Sequence, residues 1–195
     1  MKLSLAKIIS YIFNPLILAC VAPFYLVYKT TYDSGMALYW TFYTMVFMAM
    51  IFGFIVLGVK KEFFTDLDIS RREQRKKVYI VALICCSVYF ISLFYLAAPV
   101  ILRFVTAAAL CLIVILNFMN KYIKTSIHMT VVTALFSNMA FNFGKFYYLL
   151  LLVIPVVAWA RLKTKRHTKP ELAVGSAVGL FISMLIFFVE KYLIK

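Results

Sequence analysis

Arg161-Leu162-Lys163-Thr164-Lys165-Arg166-His167-Thr168-Lys169-Pro170-Glu171 is a strongly basic stretch set between two apolar runs, 146–160 and 171–192. It ends at a proline and an acid, the residues that open a helix. Apolar runs of roughly 18 residues or more recur on either side of it, each about long enough to cross a hydrocarbon core. The chain is 65% hydrophobic and 14% charged, with a mean hydropathy of +0.97. That composition excludes an ordinary soluble domain.

No barrel-like alternation is present, so helices must satisfy the backbone in lipid. The expected fold is an all-α integral membrane protein, a bundle of six to seven transmembrane helices in one domain over 1–195. The expected spans are about 8–28, 36–59, 78–97, 101–119, 126–143, 146–160 and 171–192, with motif loops at 60–77, 120–128 and 161–171. The first span is read as a retained helix, too long for a signal peptide and without a small-residue cleavage site. Pro15 and Pro23 predict a kink within it. Span five carries Thr130, Thr133, Ser137, Asn138 and Asn142, which predicts a place inside the bundle where polar groups find partners. Cys20, Cys85, Cys86 and Cys111 all lie in apolar runs and read as small packing residues, with no metal spacing. No repeat or linker divides the chain.

Three polar stretches carry the chemistry. In the 60–77 loop, Ser70 followed by Glu73 predicts a capping box that makes Arg71 to Arg75 the first turns of a helix. Arg71, Arg72 and Arg75 then project near one another. Lys124-Thr125-Ser126-Ile127-His128 opens span five, with Ser126 as the helix start. His167 and His128 are the only histidines, both at the edge of an apolar segment among cations and hydroxyls. The plain alternative is that they are interfacial polar residues like the lysines around them. With seven spans, all three stretches fall on the side of the N-terminus.

Five residues separate Arg161 from His167, and three separate His167 from Glu171. With Ser126-Ile127-His128 and the cluster ending in Arg75 upstream, the chain resembles the type 2 phosphatidic acid phosphatase superfamily. The pattern of that family is Lys-x6-Arg-Pro, then Pro-Ser-Gly-His, then Ser-Arg-x5-His-x3-Asp. The resemblance covers roughly 60–180 and extends to the small-residue run Gly175-Ser176-Ala177-Val178-Gly179. Asp68 and Lys76 stand where the family has lysine and proline, Ile127 replaces a glycine, Glu171 an aspartate and Ala160 a serine.

The resemblance implies a membrane lipid phosphate phosphatase that needs neither metal nor cofactor. It makes His167 the nucleophile, His128 the general acid and base, and Glu171 the residue that orients His167. Arg75, Arg72, Ser126, Arg161 and Lys124 are the expected phosphate ligands. The chemistry is consistent with these types: in-line displacement at phosphorus needs cations around the non-bridging oxygens and a positioned nucleophile. Arginine forks give bidentate contacts, and general acid–base help is worth about 10²–10⁴-fold.

Two other readings stand beside it. Asp66-x-Asp68 resembles the Mg²⁺-binding carboxylates of intramembrane prenyltransferases, and a transporter or structural bundle with a basic face would also account for the lysines. The expected partners are a lipid phosphate and membrane lipids, not nucleic acid. Of the 21 Lys and Arg, 16 fall on the motif side and 5 on the other. That bias predicts a site facing the cytoplasm, and the resemblance implies a bacterial inner-membrane protein.

Overall fold

The computed structural model describes residues 2–193. For Lys2, Leu3, Ser4, Glu190 and Leu193 it describes the backbone alone. The expected domain, 1–195, therefore includes three residues outside those described. Among the described residues every regular element is helical: α1 (Lys2–Ile12), α2 (Pro15–Thr31), α3 (Ser34–Lys60), α4 (Arg72–Tyr95), α5 (Val100–Met119), α6 (Ile127–Phe143), a 3₁₀ segment (Lys145–Leu152), α7 (Val153–Lys163) and α8 (Lys169–Leu193).

Five of these are long and apolar enough to cross a membrane: α3, α4, α5, the composite Lys145–Lys163, and α8. The broken pair α1 and α2 adds a sixth if it is one span. The chain is an all-α, multi-pass membrane protein. The upper count of six lies within the expected six to seven; the expected span outside it is α6, whose 17 residues rise about 26 Å.

Element boundaries depart from expectation in three places. The kink expected in span 8–28 is a break at Phe13–Asn14. Pro15 lacks an N–H and bars Asn14 from the helical region, so α1 stops and α2 restarts with proline at its first position. Span 146–160 begins as 3₁₀ after Gly144, whose φ of +100° suits a residue without a Cβ. It then runs on as α-helix to Lys163, so Arg161 lies in a last helical turn and not in a loop.

The chain divides into two compact units, Leu16–Lys121 and a second made of Met1–Pro15 with Tyr122–Lys195. In the first, α3 and α4 are joined by hydroxyls: Thr44 and Tyr89 lie 2.7 Å apart, and Tyr43 donates to Ser92 at 2.8 Å. Around them Trp40, Leu93 and Leu102 form one apolar cluster, with Ile51, Ile55 and Phe64 in another. The 61–71 connection folds back on α3, because the Phe64 N–H bonds Gly58 O at 3.0 Å. The Phe64 ring then lies over Gly58, where a Cβ would collide with it.

In the second unit, α6 packs most extensively on α8. Ten of its 17 residues are buried, Thr130, Thr133, Ser137 and Asn138 among them, so the polar helix is an inner one as expected.

Candidate functional site

The second unit gathers most of the residues singled out above, and local capping explains how. Thr168-Lys169-Pro170-Glu171 has capping-box spacing and forms its acid half: the Thr168 N–H donates to Glu171 Oε2 at 3.1 Å as α8 begins. The same oxygen lies 2.8 Å from His167 Nδ1. A carboxylate only accepts, so the bond puts the ring proton on Nδ1 and leaves Nε2 of the neutral imidazole as the lone-pair nitrogen. The His167 side chain is 1% exposed and that of Glu171 17%. The preceding helix end is closed by Thr164, whose hydroxyl donates to Ala160 O at 2.9 Å, and by the Arg166 N–H on Arg161 O at 3.2 Å. Arg161 is buried beneath that turn.

Two hydrogen bonds tie this loop to the start of α6. Lys124 Nζ donates to Arg166 O at 3.0 Å, and the Ser126 N–H donates to Glu171 O at 3.3 Å. Ser126 is the N-cap of α6, as expected, its hydroxyl accepting from the Met129 N–H at 3.5 Å. The Ser126 amide is thus taken by a carbonyl, and one Lys124 N–H serves the same loop-to-loop tie. His128 follows two residues later and is buried in the first turn of α6.

Below the loops, α8 approaches α6 through Gly175 and Gly179. A Cβ on Gly175 would stand 2.9 Å from Ser126 O, and one on Gly179 would collide with Thr130 O. The small-xxx-small pattern is what lets two backbones meet so closely. Lys124, Ser126, Arg166, His167 and Glu171 are therefore brought together, with His128 and Arg161 at the helix ends that flank them.

Arg72 and Arg75 belong to the other unit. There Arg75 is buried and its Nε donates to Ile69 O at 3.0 Å, while Arg72 is exposed at the start of α4. The Ser70–Glu73 capping box does not form: the N-cap is Arg71, without a side-chain cap bond. Ser70 instead gives its hydroxyl to Asp66 Oδ1 at 3.1 Å and its N–H to Oδ2 at 3.3 Å. Asp66 Oδ1 also accepts the Asp68 N–H at 3.0 Å. A short acid bonding its own backbone two and four residues on outcompetes a cap. Both oxygens of Asp66, the first acid of the Mg²⁺ reading, are so engaged by their own loop.

Sequence reasoning passed over Thr168 and Arg166. The Thr-x-x-Glu spacing before an apolar run was the available signal for the first; nothing local marks a carbonyl that accepts a lysine 42 residues away.

Compared with protein-family models, with curated proteins and with solved structures, the chain matches none.

Proposed function

We propose that the loop end of the second unit is the active site of a lipid phosphate phosphatase in a bacterial cell membrane. The observation that supports this reading best is the buried His167–Glu171 pair at 2.8 Å, set where α7 ends and α8 begins among five cations, Arg161, Lys163, Lys165, Arg166 and Lys169. When neutral, the imidazole is held in the tautomer a nucleophile needs, where a phosphate is attracted.

In this mechanism Nε2 of His167 attacks phosphorus in line with the ester oxygen. The Arg161 fork, Lys124 and the Ser126 hydroxyl take the non-bridging oxygens as charge spreads over them. A P–N bond forms and the P–O bond to the lipid alcohol breaks. The imidazolium of His128 gives its proton to the departing alkoxide. His128, now neutral, takes a proton from water, which attacks the phosphohistidine and returns inorganic phosphate and free His167. Glu171 stabilises the positive charge on His167 between the two steps.

The test is phosphate release from phosphatidate by purified protein in detergent containing EDTA. Turnover that persists with chelator and vanishes in His167→Ala is the expected result. A folded His167→Ala protein that keeps its turnover overturns the proposal, and activity lost to chelator moves the chemistry to Asp66 and Asp68. We place the site on the cytoplasmic face, from the Lys and Arg excess on its loops. An alkaline phosphatase fusion in the 164–168 loop should then be inactive.

A further inference from the structure

The first unit carries a cleft at its end remote from Lys60 and Arg72, where α2 gives way to α3 and α4 to α5. Its volume is about 610 Å³, and its walls come from the α2–α3 turn, the opening turns of α3 and the α4–α5 turn. The helices α3, α4 and α5 are each long and apolar enough to cross a membrane. A cleft at the ends of all three therefore stands at the level of the lipid headgroups. Tyr32 and Tyr95, adjacent in sequence to wall residues and exposed, fit that level, since tyrosine and tryptophan favour the interface.

Among the described residues that line the cleft, Asp33 alone is charged. As the N-cap of α3 it accepts the Met36 N–H on Oδ1 at 3.0 Å, which engages one oxygen and leaves the second for a ligand. Gly35, also in the wall, keeps the approach to the carboxylate open, because a Cβ there would stand 3.3 Å from Asp33 Oδ1. The positive end of the α3 dipole, about half a charge, leaves the cleft net negative. Tyr39 and Trp40 supply an aromatic wall. Their rings meet edge to face at 5.0 Å, and Trp40 meets Tyr43 in the same way at 5.6 Å. The wall is thus held in place while Tyr39 stays 54% exposed. A carboxylate beside aromatic rings recognises an organic ammonium, through charge and through the ring quadrupole. An anionic ligand would meet the acid with no cation in the wall to offset it.

We infer that this cleft binds the ammonium headgroup of a membrane phospholipid. The lipid source follows from the level of the cleft, where such headgroups are already gathered beside it. The second oxygen of Asp33 favours a primary ammonium, which has N–H groups to donate, over a quaternary one. The site stands apart from the phosphatase reading and does not depend on it.

The test follows Trp40 emission in the full chain, in neutral detergent and in a Trp159→Phe background, since these are the two tryptophans. Dihexanoyl phosphatidylethanolamine is titrated against dihexanoyl phosphatidylglycerol, which has the same tails and phosphate but no ammonium. A saturable change with the first and none with the second is the expected result. Asp33→Asn should raise the half-saturation about 5-fold, the upper range for an ion pair open to water. Asparagine caps a helix as well as aspartate does, so the fold is kept and the charge alone is lost. Equal responses to the two lipids, or none to either, overturn the inference, as does an unchanged half-saturation in Asp33→Asn. Free ethanolamine that acts at the same concentration as its lipid overturns the lipid assignment.

Discussion

Glu171→Gln separates two duties that the structure places on one oxygen. Glu171 Oε2 accepts the Thr168 N–H at 3.1 Å and His167 Nδ1–H at 2.8 Å. A glutamine keeps the cap if its carboxamide shifts so that the oxygen stays on the Thr168 N–H and the NH₂ takes the place facing His167. The negative charge near the N-terminus of α8 is lost, worth about 0.3–1 kcal/mol. Weakening a charge-assisted bond to an ordinary one adds about 1 kcal/mol. The total corresponds to a melting temperature lower by roughly 3–8 °C for a chain of this size.

The catalytic consequence is far larger. An amide can turn its NH₂ toward His167, which drives the ring proton to Nε2 and removes the nucleophilic lone pair. Where a carboxylate sets a histidine tautomer, the same change costs about 10⁴-fold. The assay pairs thermal unfolding in detergent with phosphate release from phosphatidate, for Glu171→Gln and Glu171→Ala. The expected pattern is a small melting shift and a collapse of turnover in Gln, with a further melting loss in Ala as the cap goes. A Glu171→Gln protein that retains full turnover would refute the orienting role and leave Glu171 as a helix cap alone.

Arg161→Lys should lower turnover by about 10²–10³-fold, because a point charge cannot replace a buried fork; unchanged kinetics would remove Arg161 from the site. Vanadate, which mimics five-coordinate phosphorus, should inhibit phosphate release in the presence of EDTA, and insensitivity would argue against in-line attack by His167. Gly179→Ala should lower the melting temperature, since its Cβ meets Thr130 O and overpacking costs about 1–3 kcal/mol. Gly53→Ala, with nothing within 4 Å of the added carbon, should be neutral or raise it by removing a helical glycine. Equal shifts in the two would contradict the packing of α8 on α6.

Two matching patterns show what the sequence could and could not tell. Ser70-x-x-Glu73 and Thr168-x-x-Glu171 have the same spacing, yet only the second caps a helix. The difference is Asp66, whose carboxylate takes the Ser70 hydroxyl first; a rival acceptor four residues upstream is invisible to a spacing rule. The cap at Ser126 and the burial of Thr130, Thr133, Ser137 and Asn138 were legible, because a polar run in an apolar chain has nowhere else to go. The contact between His167 and Glu171 followed from their four-residue separation at a helix start.

The bonds that join loops, Lys124 to Arg166 and Ser126 to Glu171, link residues more than 40 positions apart. Local periodicity does not encode them. Nor did hydropathy distinguish a kink from the full break ahead of Pro15, since both read as one apolar run.

The 3₁₀ stretch at Lys145–Leu152 solves a problem of reach. Wound wholly as α-helix, the 19 residues of Lys145–Lys163 would rise about 28 Å, slightly less than a hydrocarbon core of ~30 Å. The tighter winding gains about 0.5 Å per residue, which over eight residues lengthens the segment to roughly 32 Å. A run too short to traverse the bilayer thus becomes long enough without another residue, and Arg161 is carried to the far surface. The poorer geometry of 3₁₀ hydrogen bonds is the accompanying cost.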